Sequence, residues 1–112
     1  MERAYVAGPY AGPTANCVDS NIRSARSVAA DLWQRGYAVF CPHMNTAHMG
    51  GIVPEDDFLT GCLTWVKVAE LMVLAPRWED SKDTHAEIGL ARELWIPIFV
   101  WDGPDKDLIR FT

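Results

Sequence analysis

Short apolar runs separated by longer stretches of helical periodicity constrain this chain more than any other feature. Tyr5 to Gly8, Ala38 to Cys41, Leu71 to Ala75 and Pro97 to Trp101 read as strands. Between them apolar residues recur every three or four positions. Parallel neighbours need a crossover, and a helix is the usual one, so the alternation predicts βαβ units. Leu71 to Ala75 is apolar throughout, as a central strand covered on both faces should be. Right-handed crossovers then give a parallel sheet with helices on both sides.

The intervening segments carry helix signals. From Cys17 to Arg35, Val18, Ile22, Ala25, Ala29, Leu32 and Trp33 form one apolar stripe, and Gly36 fits the left-handed residue that closes a helix. Pro54-Glu55-Asp56-Asp57 has proline pre-set for a first turn and acids near the positive end of the dipole. Phe58, Cys62, Trp65, Val66 and Ala69 supply that helix with a buried face. Thr84 to Trp95 is the third helix, His43 to Val53 an irregular stretch, and the residues after Trp101 a polar tail.

At 112 residues the chain has room for a single domain, 1–112, and with 49% hydrophobic and 22% charged residues it should bury an ordinary globular core. A formal charge of -5 argues against holding a nucleic-acid polymer, which needs a clustered basic surface. Cys17, Cys41 and Cys62 are odd in number and form no paired or zinc pattern, which fits free thiols in a reducing compartment. With no basic-then-apolar leader and no run long enough to span a bilayer, a soluble cytoplasmic protein is expected.

Ligands of such sheets bind beyond the carboxyl ends of the strands. That rule nominates the loops Gly8 to Asn16, Pro42 to Gly51 and Pro76 to Asp83. Just after the last of them, Glu87 shares a helix face with Leu90, Ala91 and Leu94, so a carboxylate heads a buried stripe. Such a placement needs hydrogen bonds or a function to sustain it. Thr84-His85-Ala86-Glu87 equally fits a capping box, in which the two side chains satisfy each other's backbone donors.

The stretch from Phe40 to His48 gathers donors and acceptors suited to a polar planar ligand, including His43 and Asn45. His43 and His48 are joined by no third ligand at suitable spacing, so no metal site is expected. Backbone amides of the Gly8-Pro9-Tyr10-Ala11-Gly12 segment suit a phosphate or sugar hydroxyl, although the glycine spacing is neither a Walker loop nor a dinucleotide fingerprint. Tyr10 and Trp78 are candidate stacking surfaces for a base.

Taken together, Tyr5-Val6-Ala7-Gly8-Pro9-Tyr10, Val39-Phe40-Cys41-Pro42-His43 through Ala47, and Trp78-Glu79-Asp80-Ser81 leading to Ala86-Glu87-Ile88-Gly89-Leu90-Ala91 resemble the nucleoside 2-deoxyribosyltransferase superfamily. The resemblance runs from Tyr5 to about Val100 and is closest to a short branch common in phage and bacterial genomes. It implies a flavodoxin-like Rossmann three-layer sandwich with four or five parallel strands, assembled as a homo-oligomer whose neighbouring chain helps close the site. It also implies action on a small nucleoside or its 5'-monophosphate, by transfer of 2-deoxyribose between bases or by hydrolysis. Glu87 matches the family's nucleophile and Ser81 its loop serine, and Ala7, Gly8 and Pro9 match the loop that lies against the sugar. The chemistry is attack on the anomeric carbon to give a glycosyl-enzyme, which needs no cofactor.

The chain departs from that pattern at two places. Cys62 stands where many relatives carry an aspartate, and Ser81-Lys82-Asp83 replaces a Ser-x-Gly pattern that lets amides approach a phosphate. Asp80 or Asp83 is then the candidate second acid. Cys62, on its helix's apolar face, reads as a packed thiol. The alternative function is a nucleotide-binding protein of the same fold without turnover.

Overall fold

A computed structural model describes residues 1–111 of the chain. In order along the chain, β1 (Arg3–Ala7), α1 (Ala15–Gln34), β2 (Ala38–Phe40), α2 (Pro42–Asn45), α3 (Glu55–Val66), β3 (Leu71–Leu74), a 3-10 turn (Trp78–Asp80), α4 (Lys82–Glu93), β4 (Ile98–Val100) and β5 (Ile109–Arg110) form one α/β unit. The sheet order is β2-β1-β3-β4-β5, the doubly wound order in which the chain reverses direction beside β1. β1 runs parallel to both β2 and β3, with Val6 opposite Val73, and β4 lies parallel to β3.

Alternation along β1 sends side chains to two separate cores. Ala4 and Val6 pack with Ala25, Val28, Ala29 and Leu32 of α1 on one face. Tyr5 and Ala7 pack with Val66 of α3 and Ile88 and Ala91 of α4 on the other. Leu71, Met72, Val73 and Leu74 are all buried, as the unbroken apolar run of β3 requires. Three layers result.

Two expectations are corrected at the edges of this frame. The polar tail contributes β5, which pairs antiparallel with β4 through Phe99 and Arg110, so four of the five strands are parallel. The irregular stretch after β2 opens with the single turn of α2, where Pro42 occupies the first helical position. Gly36 has the expected left-handed conformation, with φ of 96°, after the C-cap Arg35.

Candidate active site

The loop after β1 is fixed from both sides. Its first residue, Gly8, is pressed against β3: a Cβ there would lie 2.8 Å from the Ala75 Cβ, so only glycine fits without movement. His43 Nε2 sits 3.0 Å from the carbonyl oxygens of both Gly8 and Pro9. Two acceptors facing one nitrogen assign the proton to Nε2. Burial pushes the ring's pKa down, against a partial lift from those carbonyls, so His43 is a neutral donor that clamps the loop.

Further along, the Asn21 amide donates to the carbonyls of Tyr10 and Ala11 at 3.1 and 3.3 Å, and Asn21 Oδ1 accepts from Arg77 at 2.6 Å. Tyr10 Oη in turn accepts from the His48 backbone amide. The loop is therefore shaped before any ligand arrives.

On the other side stands α4. It begins at Lys82, two residues earlier than the periodicity predicts, because Ser81 is the N-cap and its hydroxyl accepts from the Thr84 amide at 3.2 Å. This overturns the capping box between Thr84 and Glu87. Thr84 is wholly buried, and its hydroxyl has no hydrogen-bond partner among the described residues. The buried stripe of α4 is Thr84, Glu87, Ile88 and Ala91, while Leu94 is exposed and Leu90 half-buried.

Glu87 is only 6% exposed, and Tyr5 donates its hydroxyl to Glu87 Oε2 from the middle of β1. Burial raises the carboxyl pKa to about 7; the Tyr5 hydrogen bond opposes that rise and the charge of Asp83 adds to it. The Tyr5 phenol is itself pushed up, first by burial and then by the adjacent carboxylate. At neutral pH the pair is thus a neutral phenol donating to a carboxyl group poised between its two states.

A cavity opens over this pair, lined by Gly8, Tyr10, His43, Ser81 and Glu87 together with Ala11, Pro42, Thr46, Gly50, Glu55, Phe58, Cys62 and Asp83. Five residues expected at the site are therefore brought together. Four lie elsewhere. Ala7 is buried at the end of β1, where its carbonyl accepts from the Ala75 amide at 2.8 Å, and Pro9 turns its carbonyl to His43 rather than lining the cavity. Asn45 is exposed on α2. Trp78 is half-buried, packs edge-on against Phe111 with ring centroids 5.0 Å apart, and does not line the cavity.

Other residues of the site were not expected there, Tyr5 beneath the cavity and several in its wall. Tyr5 is the most consequential, and the signal for it was available: a tyrosine on a strand buried on both faces must find a hydrogen-bond partner. Cys62 packs against the core as expected, but it also forms part of the cavity wall. Burial raises its thiol pKa; Tyr5 pulls against this, and Glu87 and Asp83 push with it. Asp83 in the first turn of α4 reaches the cavity, whereas Asp80 does not line it. Among the described residues no cluster of three or more His, Cys, Asp or Glu side chains is arranged to hold a metal. No helix among them is long and apolar enough to cross a membrane.

Residues 2–100 match the family model described as a domain of unknown function, DUF4406, so the chain belongs to that family. No curated protein matches the chain in sequence. Among solved structures, the chain is similar to a 2-deoxyribosyltransferase from Bacillus psychrosaccharolyticus, with a TM-score of 0.66 over 88% of this chain and 70% of that one. At 17% identity this likeness establishes a shared fold, the fold that the sequence resemblance implied.

Proposed function

From this DUF4406 chain with a deoxyribosyltransferase fold, we propose an enzyme that cleaves or transfers at the N-glycosidic bond of a nucleoside or its 5'-monophosphate. One observation carries the reading: a buried carboxyl, Glu87, is held by the Tyr5 hydroxyl at the wall of a cavity closed on its far side by the Gly8 loop. Burying an acid away from cations is unfavourable, and a preformed site is a reason to keep one there.

In the proposed reaction the ionised Glu87 attacks the anomeric carbon as the bond to the base breaks through an oxocarbenium-like transition state. Tyr5 orients the attacking oxygens and keeps the carboxyl pKa from rising further. Asp83, whose charge already reaches Glu87, is the carboxylate positioned to take a proton from the water or second base that resolves the glycosyl-enzyme. Ser81 and the clamped loop at Gly8 shape the sugar end. Assembly into a homo-oligomer that completes the site belongs to the same reading. So does a cytoplasmic setting, supported by three free cysteines.

The test is to incubate the protein with deoxynucleosides, ribonucleosides and their monophosphates and follow free base by chromatography, with Glu87→Gln as control. Release by the wild type alone supports the proposal. Well-folded protein that releases no base from any of them refutes it, and saturable binding without release would leave the turnover-free binding protein in its place.

A further inference from the structure

We propose that this cavity takes a nucleoside whose base is already cationic, an N-quaternised purine or pyridine glycoside, without a 5'-phosphate. The inference rests on the glycosidic reading above and names its substrate class.

The charges around the cavity carry the argument. Its titratable walls include three carboxyl side chains, Glu55, Asp83 and Glu87, and no Lys or Arg is among the lining residues. His43 adds no positive charge, since its Nε2–H is committed to the Gly8 and Pro9 carbonyls. The partner of the buried Glu87 carboxylate is a neutral phenol, so among the described residues no Lys or Arg of the cavity wall supplies its counter-charge. A cationic ligand supplies that charge, whereas a phosphate is repelled. The N-terminus of α4, where a phosphate would otherwise settle, already has Asp83 in its first turn. Tyr10 and Phe58 give the cavity aromatic walls, which suit a flat cation.

The leaving group makes the same demand. A neutral base must be protonated as it departs, yet the Tyr5 phenol and the Cys62 thiol, which interact with Glu87, are both made poorer acids by burial. A quaternised base needs no proton. Glu87 forms a bond to the anomeric carbon, the glycosidic electron pair moves to the ring nitrogen, and the base leaves neutral. Water then attacks the glycosyl ester, one proton passes to Asp83 and on to solvent, and the sugar and the Glu87 carboxylate are released.

The transition state of any nucleoside is cationic, so the ground state has to be measured. Nicotinamide riboside and N7-methylguanosine, in ribo and 2'-deoxyribo forms, are compared with reduced nicotinamide riboside and guanosine, which are uncharged, and with the corresponding 5'-monophosphates. Enzymatic base release is corrected for spontaneous hydrolysis. The expected result is a KM at least about tenfold lower for the cationic nucleosides. That KM should rise severalfold as salt goes from about 50 to about 500 mM, because screening weakens exposed charges such as Glu55 and Asp83. Asp83→Asn should raise it as well. The relative KM of the pyridinium and purinium arms shows which ring the cavity takes. Equal KM values for charged and uncharged partners, a KM indifferent to salt, or a preference for monophosphates overturns the inference and leaves the glycosidic reading standing. Absence of release from every compound overturns both.

Discussion

The hydroxyl of Tyr5 in β1 donates to Oε2 of Glu87 in α4, joining two residues 82 positions apart beneath the cavity. Each residue alters the other. The carboxylate deepens the phenol's reluctance to ionise, and the phenol restrains a carboxyl pKa that burial drives upward. The catalytic proposal therefore has consequences for stability as well as for rate.

Glu87 should destabilise the protein at alkaline pH. Its folded pKa of about 7 lies above the ordinary 4.5, so between those values the folded chain holds a proton that the unfolded chain has lost. Stability from this group is full below about 4.5 and declines as pH rises through 7, by roughly 3 kcal/mol in all. Glu87→Gln keeps an acceptor for Tyr5 and removes the titration. Urea unfolding should show the variant close to wild type at pH 4 and roughly 3 kcal/mol more stable at pH 8, with base release abolished.

Tyr5→Phe should retain the ring packing, since the Tyr5 ring stacks on Phe40 at 5.9 Å, while removing the donor to Glu87. The Tyr5 bond lowers the Glu87 pKa, so its loss moves the acidic limb of the activity profile to higher pH, by roughly one unit. The rate at neutral pH should fall about ten- to a hundredfold. Profiles of kcat against pH for both proteins measure the shift, and an unmoved limb would show that Tyr5 does not set the ionisation of Glu87.

Gly8→Ala should destabilise by about 1–3 kcal/mol through overpacking, because the added Cβ meets Ala75 at 2.8 Å. Ala75→Gly removes the atom it strikes. The double variant should recover most of the loss in thermal unfolding, and additive losses would disprove direct contact as the cause.

Asp31 anchors the far end of α1. It accepts from Trp101 Nε1 at 2.8 Å and from Arg35 Nε at 2.9 Å, and Arg35 also donates to the carbonyls of Gly103 and Lys106. Burial pushes the Asp31 pKa up, but the hydrogen bonds from Trp101 and Arg35 outweigh it, leaving the value below the ordinary 3.8. The stabilisation is present above 3.8 and lost as pH falls through the folded value. Asp31→Ala should cost about 3 kcal/mol at pH 7 in chemical unfolding, a deficit that narrows in acid.

The strands and most of the α1 face were legible because a side chain's burial follows the local period: Leu71 to Leu74 are apolar and buried, as are Ile22, Ala25, Ala29 and Leu32 of α1, whereas Trp33 of α1 and Trp65 of α3, expected on buried faces, are exposed. The cavity was legible in part. Gly8, Tyr10, His43, Ser81 and Glu87 follow from the rule that ligands sit beyond strand ends, and they do line it. Trp78 and Asn45 do not line it because nearness to a strand end does not fix direction: half-buried Trp78 packs against Phe111, and Asn45 faces solvent from α2.

By itself the sequence determined the α/β alternation, the ends of most elements and the presence of an acid on the buried face of α4. Those properties depend on residues a few positions apart, where helix and strand periods dictate who shares a face. Only the tertiary structure decided what that acid meets. A Thr-x-x-Glu capping pattern and a buried Glu87 predict different partners, and the choice was made when Ser81 capped α4 and the sheet order set β1 beneath it. The Tyr5 hydroxyl reaches Glu87 because parallel crossovers bring distant segments side by side, a relation no local period encodes.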